Sequence, residues 1–218
     1  MKKDLPVPQE GAARYFFLLK NHFWLLCKLN LLMLLCSLPI VTIPAVLCAA
    51  DRVAVKLARD GYVLLWEEFR DECKLDFWKS LPLGLLFGGG LAASYVLLSF
   101  GMGNLNSLPG LLLLALGIFL AVTTFGRGSY AFLLRAMVPL ENRDVLKNAR
   151  ILSVIPGGRG WVGPLMGIGG ILLTYAFFPF TLLILVTFGP AVYRFTLCYL
   201  LNKPIQEKIL TPWEQMQQ

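Results

Sequence analysis

Charge is what this chain has least of. Only 15% of its 218 residues are charged, where soluble domains carry roughly 25%, so the chain is short of the residues that form a water-facing surface. Histidine is nearly missing, with His22 the single one. The five cysteines, Cys27, Cys36, Cys48, Cys73 and Cys198, show neither metal-ligand nor disulfide spacing. Most lie in apolar stretches, where Cys behaves as a small hydrophobe. A His/Cys/Asp cluster, a nucleophile elbow and paired carboxylates in an apolar pocket are all lacking, and so is a Walker motif. These absences argue against an enzyme, against a bound metal or cofactor, and against transport driven by the chain's own ATP hydrolysis. The short alternating strands of a membrane β-barrel are lacking too.

What is present is apolar and blocked. Hydrophobic residues make up 57% of the chain. Uncharged runs cover Leu29–Ala50, Leu81–Phe100, Leu108–Gly126 and Trp161–Tyr193. Crossing a bilayer takes roughly 20 apolar residues, and a soluble core helix would be shorter and carry a polar face. The expected fold is all-α: one integral membrane domain over 1–218, a polytopic helix bundle.

Lysine and arginine set its orientation. They collect in the N-terminal segment, between the first and second apolar blocks (Arg52 to Lys79), between the third and fourth (Arg127 to Arg159), and at the end (Lys203, Lys208). The connector Gly101–Ser107 has none. The positive-inside rule places these segments and both termini in the cytoplasm. The net charge of +7 follows from this bias and does not require nucleic acid as a partner; membrane lipid is the expected one. The first and last blocks must then enter and leave on one side, as hairpins over 13–59 and 161–202. "VTIPAV" (Val41–Val46) and "VTFGPAV" (Val186–Val192) are nearly the same phrase. They read as outer turns, with Pro39, Pro44, Gly189 and Pro190 ending one helix and starting the next. With third and fourth helices over 81–138, this predicts about six membrane helices in a pseudo-repeat. The polar start reads as no cleavable signal peptide.

Ionisable groups inside a membrane are costly and demand partners. Lys28 and Asp51 lie about equally far from the first turn, which predicts an approach between them, with Asn30 and Arg52 nearby. The alternative is that Lys28 snorkels to the surface. Arg194, four residues after Pro190, either reaches head groups or faces an internal cavity or anionic solute. His22 reads as an interface residue. Gly84 and Gly88, and Gly163 and Gly167, have the spacing that lets helix backbones approach, within the chain or in a homo-oligomer. "GGRG" at 157–160 reads as a flexible turn, and Pro179 as a kink in the fifth helix.

The charged segments are patterned. In "WEEFRDECKLDFWKS" (Trp66–Ser80) the residues Trp66, Phe69, Cys73, Phe77 and Ser80 or Leu81 recur at three and four. This predicts a cytoplasmic amphipathic helix over 62–80, ending before Pro82. A second is expected over 140–153. Each precedes a Pro and a membrane helix. "DFWKSLPL" is similar to the end of the docking loop by which ABC importer permeases engage their ATPase, although that loop's Glu-Ala-Ala and Gly are missing here. Trp66, Phe69, Phe77 and Trp78 are the candidate partner contacts, and the alternative is a surface helix that only anchors the loop.

"LLMLLCSLPIVTIPAVLCAADRVAVKLARDG", with "FRDECKLDFWKSLPLG" after it, resembles the YesL-like family of bacterial membrane proteins, whose function is unknown. The first hairpin of that family shows Leu-Pro-x-x-Thr-Ile-Gly-Pro-Ala; here the Gly before Pro44 is missing, while Gly189-Pro190 keeps it. The resemblance implies an integral plasma-membrane protein and, since members are often encoded near carbohydrate ABC transporters, an accessory role in sugar uptake. It carries over no catalytic residues. Three readings remain: an accessory or permease-like subunit of a carbohydrate ABC system, a stand-alone small-solute transporter or channel, and a structural or assembly factor.

Overall fold

A computed structural model describes residues 11–138, 140–153 and 180–205, with isolated positions at 165, 167, 169 and 176–178. Its helices are α1 (Gly11–Asn21), α2 (Phe23–Cys36), α3 (Ile43–Asp60), α4 (Leu65–Gly103), α5 (Leu108–Met137), α6 (Asn142–Leu152), α7 (Phe180–Thr187) and α8 (Gly189–Ile205), with a 3-10 turn at Ile40–Thr42 before α3. Of the helix expected to rise from Trp161 to Thr187, α7 is the described end; most of the rest, with Gly163, the "GGRG" turn and Pro179, lies outside the described residues.

α4 and α5 form a long antiparallel hairpin and, among the described residues, are the two helices long and apolar enough to cross a membrane; the pair α1 and α2 makes a third if taken as one bent span. Six spans and two re-entrant hairpins are therefore more than the described helices support. Ser107 caps α5, its hydroxyl accepting from Gly110 N–H at 3.2 Å, and Pro109 fits the first turn, where its missing N–H goes unused. The two helices touch backbone to backbone near their tips. A Cβ on Gly101 would come within 2.7 Å of the Leu114 backbone nitrogen, so only glycine permits this approach. Beyond Gly88 the hairpin turns large apolar side chains outward, among them Tyr95, Phe100, Leu112, Leu116 and Phe119. That is the surface a bilayer covers.

Pro82 does not end a helix, contrary to the expected break after Ser80. α4 runs unbroken for 39 residues, joining the charged segment to the apolar one. Proline removes one helical hydrogen bond and crowds the preceding turn, but here Pro82 is exposed. A stripe on the opposite face, Phe69, Asp76, Ser80, Leu83 and Phe87, is buried on both sides of it. Packing of that stripe holds the two halves in one helix.

The first helix is in turn broken where one continuous helix was expected. α1 and α2 meet at His22 with a bend of 69°. α1 is drawn aside by Arg14, which donates to the carbonyls of Ala58 (3.2 Å) and Arg59 (2.8 Å) at the end of α3, a cation satisfying orphan helix-end acceptors.

α3 is the centre of the fold. It packs against α4, α5 and α8, and twelve of its 18 residues are buried. Small residues (Ala45, Ala49, Ala50, Ala54, Ala58) let neighbours close around it, and Val46, Val53 and Leu57 fill the contacts, each contributing about 1.5–3 kcal/mol on full burial. Gly61 ends it in the left-handed region, φ 72°, which L residues avoid.

The depth of the first turn differs from expectation. Pro44 packs on Gly84, where an added Cβ would fall 2.0 Å from the Pro44 Cγ. Gly84 stands near the start of the apolar part of α4; the far end, Gly103, is about 29 Å further along. The first turn thus lies at the charged edge of the apolar span and not at the opposite face. The reason is that α3 carries Asp51, Arg52, Lys56 and Arg59 and pairs with the charged half of α4 through Lys56–Glu68 and Arg52–Glu72.

Candidate functional site

Two polar constellations stand out. The first joins the two helices that begin at the repeated phrase. α3 starts at Ile43 with Pro44 in its first turn, and α8 starts at Gly189 with Pro190 in its own. They lie side by side, and Arg194 Nη1 donates to Asp51 Oδ2 at 3.0 Å with both side chains closed to solvent. The Cys198 thiol approaches the Asp51 carbonyl at 3.8 Å and its Oδ1 at 3.9 Å. Further along, Arg59 Nε donates to Asn202 Oδ1 at 3.2 Å. Burial, then the charge of Arg52, lower the pKa of Arg59, and its Nη2 is buried without a hydrogen-bond partner among the described residues.

The expected Lys28–Asp51 approach does not occur: the partner of Asp51 is Arg194. The buried positions of α2 are Leu26, Leu29, Asn30 and Met33, a face set by 3.6-residue periodicity. Lys28 falls off that face and is exposed, in no ion pair among the described residues. Arg194, in turn, points inward and not to head groups.

Asn30 takes a different part from that expected. Its Nδ2 donates to the carbonyls of Leu185 (3.2 Å) and Val186 (2.6 Å), and Ala191 N–H donates to its Oδ1 at 3.1 Å. One amide side chain thus satisfies both sides of the second turn, three backbone groups freed where α7 ends and α8 begins. Phe23 and Phe188 pack beside it with ring centroids 5.2 Å apart. The first turn is pinned locally, by the Thr42 hydroxyl donating to the carbonyls of Cys36 and Pro39.

The second constellation lies where the charged half of α4 meets the end of α5 and the start of α6. Arg135 grips Asp76 with two parallel bonds, Nε to Oδ2 at 2.8 Å and Nη2 to Oδ1 at 3.0 Å. It also donates to the Leu140 carbonyl at 2.6 Å. Asn142 Nδ2 donates to the Lys79 carbonyl at 2.9 Å, and Arg52 Nη1 to the Ala136 carbonyl at 2.8 Å. Bidentate pairing of this kind is strong and directional. Beside the grip opens a pocket of about 800 Å³, bordered by Arg52, Glu72, Lys79, Glu141 and Arg143.

The proposed docking aromatics divide. Trp66 and Trp78 are 62% and 78% exposed, whereas Phe69 is 2% exposed and belongs to the core. Phe77 is half-buried, and the inward position beside it is Asp76, not Phe77. Exposed Tyr62 and Leu64 stand with Trp66 at the beginning of α4.

Residues 17–98 match the family described as "Protein of unknown function, DUF624". This is the YesL-like family of bacterial membrane proteins. The matched part of the chain holds Asn30, Pro44, Asp51, Asp76 and Gly84; Arg135, Asn142 and Arg194, which complete the two constellations, lie beyond it. No curated protein matches, and no solved structure does. The family match over 17–98 and the apolar helices together suggest a membrane location.

Asp76, Arg135, Asn142 and Cys198 were not singled out from the sequence. For the first two a signal existed: they lie equally far along the chain from the middle of the connector 104–107. In an antiparallel pair of helices this puts opposite charges at one level.

Proposed function

We propose that the chain is a non-enzymatic accessory or permease-like subunit of a bacterial carbohydrate ABC transport system, holding a partner protein on its charged, cytoplasmic side. The carbohydrate part rests on the resemblance to the YesL-like family. The observation that supports a partner is the exposed cluster Tyr62, Leu64 and Trp66. It stands about 22 Å along α4 from Leu81, where the apolar run begins. Lipid does not account for large apolar side chains so far from the apolar run, and such patches commonly mark protein contacts.

The test is to purify the tagged protein from its host in mild detergent and identify what accompanies it. Recovery of permease or ATPase subunits, lost on replacing Tyr62 and Trp66 by Ser, supports the proposal. A protein recovered without transporter subunits from cells that express them overturns it.

A structural or assembly role is the second reading. It is favoured by the mutual pairing of Asp51 and Arg194 and by the bonds of Asn30 to the second turn. These spend on packing the polar groups that a stand-alone transporter or channel would offer to a solute.

A further inference from the structure

We propose that the pocket between α4, the end of α5 and the start of α6 holds the phosphodiester headgroup of an anionic phospholipid. Three observations carry this. The first is charge. Asp76 is neutralised by Arg135, and Glu72 faces Arg52. Of the remaining charges on the rim, Lys79 and Arg143 are exposed cations in no ion pair among the described residues, opposed by Glu141 alone. The N-terminus of α6, whose cap residue Glu141 makes no side-chain cap bond, adds its partial positive charge on the same side. The balance favours an anion with several acceptor oxygens.

The second observation is depth. Lys79 precedes Leu81, the first residue of the uncharged run, by about 3 Å along the helix. The pocket mouth therefore lies at the level where head groups sit. Trp78 beside it is exposed in the manner of an interfacial aromatic. The third is the wall. Leu75, Met137 and Val138 line the pocket with the charged groups, which suits a glycerol backbone and the first methylenes of a chain better than a free phosphate. The volume, about 800 Å³, is that of a small-ligand site. Basic pockets between helices on the cytoplasmic side are suited to anionic lipid head groups.

The experiment compares lipid binding to the purified full-length chain by native mass spectrometry, with phosphatidylglycerol, phosphatidylcholine and inorganic phosphate as probes. Phosphatidylglycerol is expected to bind in preference to phosphatidylcholine. The double variant Lys79→Gln/Arg143→Gln is expected to bind it tenfold or more weakly, since each basic residue near a membrane surface contributes a several-fold gain. Lys147→Gln/Arg150→Gln, which removes two exposed charges of α6 away from the pocket, is expected to stay within twofold of the parent. Equal losses in both double variants, or no preference between the two lipids, would overturn the proposal. So would inorganic phosphate binding as tightly as the lipid, which would assign the pocket to a soluble phosphate compound. Thermal unfolding of each variant checks folding. If the first double variant does not fold, Lys79→Gln alone carries the test, with a loss of about fivefold expected.

Discussion

Asp51 and Arg194 meet at 3.0 Å, sealed from solvent between two parallel helices that each begin at a Pro turn. A charge in such a place is tolerated because the other is there. Removing one partner leaves the second buried and unmatched, which typically costs about 3–5 kcal/mol. Asp51→Leu and Arg194→Met are each expected to lower the unfolding midpoint in detergent sharply. The double replacement Asp51→Leu/Arg194→Met leaves no unmatched charge and is expected to recover most of the loss, as apolar substitutes for buried pairs often do. Additive losses in this cycle would mean that the two side chains do not interact energetically.

Asn30 offers a separate test of how α2 is joined to the turn between α7 and α8. Replacing it by Leu strands two carbonyls and one N–H at the second turn, and the buried one, Ala191 N–H, alone costs about 1–3 kcal/mol when left unsatisfied. Asn30→Asp keeps an acceptor for Ala191 N–H but loses both donors. Both variants are expected to loosen the segment around Phe188, read as faster hydrogen exchange at Val186–Val192, while α4 and α5 keep their protection. Unchanged exchange in Asn30→Leu would refute the part assigned to this side chain.

The class of the fold, and the inward polar positions Asn30 and Asp51 without their partners, were legible for a physical reason. Uncharged runs, Pro turns and the three-four periodicity of Trp66–Ser80 are local signals, and each depends on a few neighbouring residues. The errors arose where tertiary packing decided. Pro82 reads as a stop, yet the buried stripe from Phe69 to Phe87 carries the helix through it. Lys28 and Asp51 were matched by their distance from the turn, although depth alone says nothing of facing; periodicity turns Asn30 inward and Lys28 outward. The same distance argument, applied to the connector at 104–107, pairs Asp76 with Arg135, and there both residues face inward. Arg194 could not be matched to Asp51 from spacing, because the two lie 143 positions apart on helices whose proximity is a property of the whole bundle.

The glycines of α4 are expected to behave in opposite ways. A Cβ at Gly84 would overlap the Pro44 ring, whereas one at Gly88 would meet no atom within 4 Å. Proline cannot swing away as a flexible side chain does, so Gly84→Ala forces α3 and α4 apart. Overpacking of this kind costs typically about 1–3 kcal/mol. Gly88→Ala removes a helix-weakening residue and is expected to be neutral or stabilising by up to about 1 kcal/mol. Paired thermal unfolding of the two variants in one detergent checks the contrast. Similar effects at both positions would contradict the contact between Pro44 and Gly84.

The depth of the first turn can be read from sidedness. If Pro44 rests on Gly84, the turn residue Ile40 lies on the charged side of the membrane, while Asn106, in the connector between α4 and α5, lies beyond the other end of the apolar span. Both positions are exposed. Single cysteines placed there, measured against the background of the five native thiols, are expected to react with a membrane-impermeant maleimide from opposite sides. By the distribution of lysine and arginine, Asn106→Cys should be labelled on intact spheroplasts, and Ile40→Cys only after the membrane is opened. Labelling of both from outside would restore the first hairpin as one that reaches the outer face, and would separate Pro44 from Gly84 in the membrane-embedded protein.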